Sequence, residues 1–195
     1  QVLQRVVAQA RVCILDYGSG NVKSVYNLFS ALDTDTVVSN EAAKIAGATH
    51  IVLPGVGAFG RAVERIRELL PLQALEDEVL KKGKPFLGIC VGMQVLADRG
   101  FEFGESRGLG WIAGSVKRLE AGALPLPHVG WNNVKIEKPS PLLSGLEADP
   151  DFYFVHSYAF QTAQSEHVAA RADYGEFFAA IVQKDNIHGV QFHPE

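Results

Sequence analysis

Gly88-Ile89-Cys90-Val91-Gly92 and Phe192-His193-Pro194-Glu195 together hold a nucleophile, a base and a group able to orient that base. Cys90 follows the apolar run Pro85 to Ile89, which reads as a buried strand, and precedes Met93-Gln94-Val95-Leu96-Ala97, which reads as the start of a helix. The thiol is therefore expected on a strand-to-helix elbow. Glycines two residues before and after suit a turn too tight for side chains, the geometry that G-x-S-x-G serves for serine. Unpaired backbone N–H groups at a helix start favour a thiolate, which makes Cys90 a candidate nucleophile. A free cysteine is also a common small core residue, and both readings stand for Cys90 taken alone.

His193 supplies the proton carrier that such a thiol needs, and Glu195 the group that would hold the imidazole in one tautomer. Residues two apart in an extended segment point the same way, so His193 and Glu195 share a face, with Pro194 stiffening the backbone between them. Taken alone, the segment could equally be a solvated end. The preceding Ile187 to Phe192 reads as a strand that carries His193 into the fold.

These residues need a scaffold, and short apolar runs alternate with helical patterns to provide one. Val12 to Leu15, Thr36 to Val38, His50 to Leu53 and Pro85 to Ile89 read as strands; Val22 to Leu32, Glu41 to Ala46, Ala62 to Leu70 and a segment from Val91 read as helices. The alternation predicts an α/β fold with an open, mostly parallel sheet flanked by helices. After Gly114 the pattern turns β-rich, with strands expected at Ser115 to Glu120, Asn132 to Glu137, Phe152 to Val155, His167 to Ala172, Phe177 to Gln183 and Ile187 to Phe192. They either extend the sheet or form a second antiparallel layer.

In open α/β sheets ligands collect outside the carboxyl ends of the strands, so Asp16-Tyr17-Gly18, Pro54-Gly55-Val56-Gly57 and Cys90 are expected along one rim. A backbone N–H in the loop at Val56 and Gly57, together with that of Val91, would suit an oxyanion hole. An ordinary strand-to-helix turn is the alternative for that loop.

At 195 residues with 47% hydrophobic content, the chain can bury one sizeable core, and no linker composition divides it. One domain over residues 12–195 is expected, after an N-terminal extension or added segment over 1–11. A net charge of −4 offers no general attraction to nucleic acid or acidic lipid. Lys81-Lys82-Gly83-Lys84 reads as a solvated helix end. Two cysteines suggest no disulfide framework and a reducing compartment, with Cys13 in inert core. The apolar runs are far shorter than the ~20 residues that cross a bilayer, which predicts a soluble cytoplasmic protein. His50, His128, His156, His167 and His188 lack metal-ligand spacing and are expected in structural hydrogen bonds.

The elbow Gly-Ile-Cys-Val-Gly-Met-Gln and the Phe-His-Pro-Glu segment resemble class I glutamine amidotransferases, whose Cys-His-Glu triad releases ammonia from glutamine. Asp16 to Asn21, Leu53 to Phe59, Pro127 to Asn132 and Tyr153 to Tyr158 are similar to segments of the glutaminase subunits of imidazole glycerol phosphate synthase, and the likeness runs from Val12 to Glu195. The resemblance implies a flavodoxin-like fold, a triad of Cys90, His193 and Glu195, and no metal or redox cofactor. It implies that L-glutamine contacts Gln94 and Glu102, with Ser157 and Tyr158 contributing backbone contacts. It places Asn21, Trp131 and Asn132 at the interface with a barrel-shaped cyclase subunit. That partner receives the ammonia and makes imidazole glycerol phosphate and aminoimidazole carboxamide ribotide during histidine synthesis. The oxyanion loop is implied to rest in an unproductive orientation until the partner is occupied. Relatives continue for a short tail past the matching Glu, so a tail beyond Glu195 is expected. Two alternatives stay open: a thiol hydrolase of another class on a flavodoxin-like fold, and a paralogous glutaminase feeding a different amidating partner.

Overall fold

The computed structural model describes residues 9–195; of the extension or added segment expected over 1–11, residues 1–8 lie outside them. The chain runs β1 (Arg11–Leu15), α1 (Val22–Ala31), β2 (Asp35–Ser39), α2 (Ala42–Gly47), β3 (His50–Leu53), α3 (Phe59–Leu69) and α4 (Leu72–Glu76), which passes into a π-helical turn, Asp77–Lys81. Then follow β4 (Phe86–Ile89), α5 (Val91–Gln94), β5 (Arg99–Gly100), β6 (Ser106–Arg107), β7 (Gly114–Arg118), β8 (His128–Asn133) and β9 (Lys135–Ile136). The last strands are β10 (Asp151–His156), β11 (Tyr158–Thr162), β12 (Val168–Asp173), β13 (Phe177–Lys184) and β14 (Ile187–Val190).

The main sheet has the order β2-β1-β3-β4-β14-β13-β12-β9. Strands β2, β1, β3, β4 and β14 are mutually parallel, and the far side from β13 onward is antiparallel. Central β1, β3 and β4 read as near-continuous apolar runs because helices cover both faces of a parallel sheet. The β-rich half does both things expected of it. Strands β9 and β12 to β14 extend the main sheet, while β10-β8 forms a separate antiparallel pair and β11-β7-β5-β6 a separate mixed layer, antiparallel except where β5 runs parallel to β7.

Three differences from the sequence reading have local causes. Helix α3 begins at Phe59 rather than Ala62, because Phe59, Ala62, Val63 and Ile66 make one buried stripe and the Glu102 carboxylate accepts from the Phe59 N–H at 3.0 Å. The single strand expected from Asn132 to Glu137 is broken at Val134: β8 pairs with β10, and β9 with β12. Lys84 is not solvated. Its ammonium sits 2.8 Å from the Glu78 carboxylate and donates to the Ile45 and Ala46 carbonyls at the end of α2.

The turn after β4 is where packing is least forgiving. Cys90 has φ 54° and ψ −113°, a conformation that costs a non-glycine residue about 1–3 kcal/mol and persists only when its surroundings hold it. A Cβ on Gly92 would lie 2.0 Å from the Leu53 carbonyl oxygen, and one on Gly88 would lie 2.3 Å from the Gly92 carbonyl oxygen. Those two glycines let α5 settle against the ends of β3 and β4. Gly92→Ala is expected to cost about 1–3 kcal/mol, a fall in Tm of roughly 2–12 °C, whereas Gly47→Ala, whose Cβ meets nothing within 4 Å, is expected to leave Tm unchanged or slightly higher in differential scanning calorimetry.

Candidate active site

The carboxyl ends of β1, β3, β4 and β14 open onto one rim. Tyr17, just after β1, is buried and donates from its hydroxyl to the Pro54 carbonyl just after β3, at 2.5 Å. Burial pushes the Tyr17 phenol well above its usual range. The hydroxyl therefore acts as a fixed donor that ties the first rim loop to the second.

Strands β4 and β14 are adjacent and in register, Gly88 beside Gly189 and Ile89 beside Val190, so Cys90 and the segment after Val190 emerge side by side. The Cys90 backbone N–H donates to the Val190 carbonyl at 2.7 Å. His193 is pinned in turn, its N–H donating to the Tyr153 carbonyl of β10 at 2.9 Å, and Phe192 stacks on Phe152 with ring centres 3.8 Å apart. These backbone contacts bring the thiol and the imidazole into the wall of one pocket.

His193 Nδ1 lies 3.0 Å from Glu195 Oε1, which leaves Nε2 for Cys90. The hydrogen bond with Cys90, then that with Glu195, pushes the imidazole up to about 10 against an opposing effect of burial. For Glu195 burial alone would raise the pKa. The hydrogen bonds with His193, with Asn21 and with its own backbone outweigh it and hold the carboxylate below its ordinary range. The Glu195 side chain is 8% exposed.

Asn21 reaches this group unexpectedly. Its Nδ2 donates to Glu195 Oε1 at 3.0 Å, and its Oδ1 accepts from the Ser19 hydroxyl at 2.8 Å, an arrangement that fixes which way the amide faces. The family resemblance implies a place for Asn21 at a partner interface; the structure gives its amide a contact with the Glu195 carboxylate. Gln191 is the other residue that sequence reading missed. It is fully buried, with its Nε2 3.7 Å from the Cys90 sulfur and its Oε1 accepting from Gln94 Nε2 at 3.0 Å. The only signal for it was a polar residue two before His193 at the end of an apolar strand.

A pocket of about 330 Å³ opens over Cys90, with Val56, Gly57, Val91, Gln94, Glu102, Ser157, Tyr158 and His193 in its walls. Every residue expected to contact glutamine or an oxyanion is therefore in one cavity. Gln94 is buried and also donates to the Tyr158 carbonyl at 3.1 Å, so part of its hydrogen-bonding capacity is spent on the wall. Glu102 divides its carboxylate similarly, one oxygen capping α3 at Phe59. Among the described residues, the backbone N–H groups of Val91 and Ser157 have no hydrogen-bond acceptor. Gly57 has φ +95° at the exposed end of the second loop, where its backbone is open to either peptide orientation.

Of the expected interface residues, Trp131 is 74% exposed on β8. Asn132 turns its amide inward, 3.3 Å from His128 Nε2 and 2.8 Å from the Asp173 carbonyl. The pairing of β8 with β10 sets Val129 opposite Val155 and Trp131 opposite Tyr153, giving an apolar ribbon in which Val129, Trp131 and Val155 are exposed. A second hollow of about 490 Å³ lies between this ribbon and the triad, lined by Trp131, Tyr153, His193 and Glu195 among others. His193 thus forms a wall common to both cavities. Cys13, by contrast, is fully buried within β1, with burial pushing its thiol up to about 11. No helix among the described residues is long and apolar enough to cross a membrane.

Residues 13–195 match the family model described as glutamine amidotransferase class-I. The imidazole glycerol phosphate synthase subunit HisH of Oceanobacillus iheyensis is 46% identical over 184 residues, covering 94% of this chain and 90% of its own. The subunit of that name from Bdellovibrio bacteriovorus is 45% identical over 186 residues, covering 93% and 91%. Among solved structures, PurLQS from Thermotoga maritima superposes with a TM-score of 0.71 at 18% identity over 95% of this chain and 88% of that one. A structure described as a glutamine amidotransferase gives 0.70 at 19% identity over 94% and 89%. These two share the fold. With the family match spanning nearly all of the described residues, and relatives this similar along almost their whole length, the chain belongs to the class I glutamine amidotransferases, on the branch of the imidazole glycerol phosphate synthase HisH subunits.

Proposed function

We propose that this chain hydrolyses L-glutamine to glutamate and ammonia at Cys90 and passes the ammonia to a cyclase subunit, which uses it to make imidazole glycerol phosphate and aminoimidazole carboxamide ribotide in histidine biosynthesis. The observation that carries the reading is that Cys90 and His193, with Glu195 behind the imidazole, meet in a pocket also lined by Gln94, Glu102, Ser157 and Tyr158. The names of the relatives support the pathway and the existence of a partner subunit.

In the first half-reaction the Cys90 sulfur attacks the carboxamide carbon of glutamine, forming a C–S bond and placing negative charge on the oxygen. The Val91 N–H and a peptide of the Val56–Gly57 loop receive that charge. Collapse breaks the C–N bond as His193 gives its Nε2 proton to the departing amine, which leaves as ammonia. A γ-glutamyl thioester remains. Water then loses a proton to His193 and attacks the thioester carbon, which frees glutamate and restores the thiolate. Glu195 keeps the imidazole aligned through Nδ1 and stabilises its cationic form, and Asn21 steadies Glu195. An imidazole raised to about 10 is protonated at neutral pH, the state that the first half-reaction requires.

Ammonia leaves beside His193, and on the far side of that residue lie the second hollow and the exposed Val129–Trp131–Val155 ribbon. An exposed apolar strip of this kind suits a protein partner. We place the cyclase there, with Trp131 central to the contact.

Three outcomes are expected. Cys90→Ala abolishes glutamate release while synthesis by the two-subunit enzyme from added ammonium salts continues; residual hydrolysis would show that another group is the nucleophile. Glutamate production by the isolated chain is low and rises when the cyclase and its ligand are added, and equal rates would remove the partner dependence. The third concerns pH. Because the folded pKa of His193 is raised from 6.5 to about 10, the stability contributed by its protonation is complete below about pH 6.5 and lost as pH climbs through 10. The Tm difference between the parent and His193→Gln should therefore be greatest near pH 6 and shrink by pH 10. A gap independent of pH would mean that the folded imidazole is not raised.

A further inference from the structure

Two buried histidines that take no part in the proposed acyl transfer lie end to end beside the pocket. His128 Nδ1 is 3.0 Å from His156 Nε2, and His156 Nδ1 is 2.9 Å from the Tyr158 carbonyl oxygen. At the other end, the Asn132 amide nitrogen is 3.3 Å from His128 Nε2. A carbonyl oxygen has no proton to give, so His156 Nδ1 must donate to it. A neutral imidazole carries one N–H, so His156 Nε2 accepts from His128 Nδ1, and His128 Nε2 accepts from Asn132. One end thus fixes both tautomers.

The order requires both rings to be neutral. Burial lowers His128 and takes His156 down to about 4, so neither is charged near neutrality. The His128 ring is held flat between Tyr174, 4.0 Å between ring centres, and Phe154, 5.0 Å. The receiving oxygen of Tyr158 also accepts from Gln94 Nε2, which donates in turn to Gln191 Oε1, while Gln191 Nε2 faces the Cys90 sulfur at 3.7 Å. Both lone pairs of that oxygen are therefore engaged, one by each side of the pocket.

We propose that His128 and His156 are positioning residues for glutamine: with Asn132 they form a one-way hydrogen-bond chain that fixes the Tyr158 carbonyl, and with it the Ser157–Tyr158 wall and Gln94, so that the placement of strand β8 sets the fit of the substrate. The inference rests on the reading of the pocket as a glutamine site. Asn132 adjoins the exposed Trp131, so the donor end of the chain is carried by the same strand as the surface offered to a partner. Loss of one link removes a hydrogen bond of about 1 kcal/mol from the wall, roughly a fivefold loss of substrate affinity, without touching Cys90, His193 or Glu195.

The test uses two alkylating probes on the full chain. A diazomethyl ketone analogue of glutamine reports affinity through saturation of its labelling of Cys90; iodoacetamide reports the reactivity of the thiol alone. His128→Phe keeps the ring stack and removes both hydrogen bonds, and Asn132→Ala, at the half-exposed end, keeps the test independent of core packing. Both variants should need about three- to tenfold more diazo ketone for half-saturation, with the iodoacetamide rate unchanged within about twofold. In the parent, ¹⁵N NMR at pH 7 should show both histidines as neutral Nδ1–H tautomers. An Nε2–H tautomer at either ring, unchanged half-saturation in both variants, or an equal fall in both labelling rates would overturn the proposal. A parent that fails to saturate with the glutamine analogue would sink the glutamine reading itself, and this inference with it.

Discussion

The close approach of backbone to backbone around Cys90 is the constraint that the site depends on. Strand β3 delivers the Leu53 carbonyl, β4 delivers Gly88, and the first turn of α5 sits against both because Gly92 has no side chain. In that confined turn Cys90 adopts φ 54°, a conformation that a free chain would leave at once. The strain is balanced by the surrounding sheet, in which the Cys90 N–H bonds to Val190 and its carbonyl accepts from Met93 and Gln94. Sulfur direction is therefore set by main-chain packing, and side-chain rotamers make only the last adjustment.

Around that fixed sulfur the polar groups are arranged in shells, each orienting the one inside it. His193 faces the thiol, Glu195 holds His193, Asn21 holds Glu195, and Ser19 sets the face of Asn21. On the opposite side, Gln191 faces the sulfur, Gln94 holds Gln191, and the Tyr158 carbonyl receives Gln94. Buried polar groups are tolerated here because nearly every donor has a defined acceptor, the condition under which a polar network rigidifies a site instead of destabilising it. The groups left open, the N–H of Val91 and that of Ser157, belong to residues in the wall of the pocket.

What the sequence disclosed and what it hid divide along physical lines. The parallel half of the fold was legible because β1, β3 and β4 are apolar on both faces and α3 has a clean buried stripe. The elbow at Cys90 and the shared face of His193 and Glu195 were legible through local geometry, glycines at a tight turn and a His and Glu two apart on a strand exit, while the meeting of the two segments was implied by the family resemblance. Less legible were β8, which carries a glycine and three polar residues among its six, and β11, which pairs with β7 rather than with its neighbour in sequence. The inward amides of Asn21 and Asn132 were hidden altogether. Asparagine is at home on a surface and equally in a buried network, and only the fold decides which; Glu195 and the Asp173 carbonyl, which draw these two inward, are joined to them by tertiary contact. Lys84 was misread for the same reason, its charge being met by Glu78 and the end of α2.

The position of β14 in the sheet has a consequence for biosynthesis. Although it is the last strand among the described residues, it lies between β4 and β13, bonded to both, and it leads directly into His193 and Glu195, far along the chain from Cys90. A ribosome-bound chain that has not reached Ile187 has a gap in the middle of its sheet and a Cys90 without His193 beside it. Closure of the sheet and the arrival of His193 beside the Cys90 pocket are thus one event.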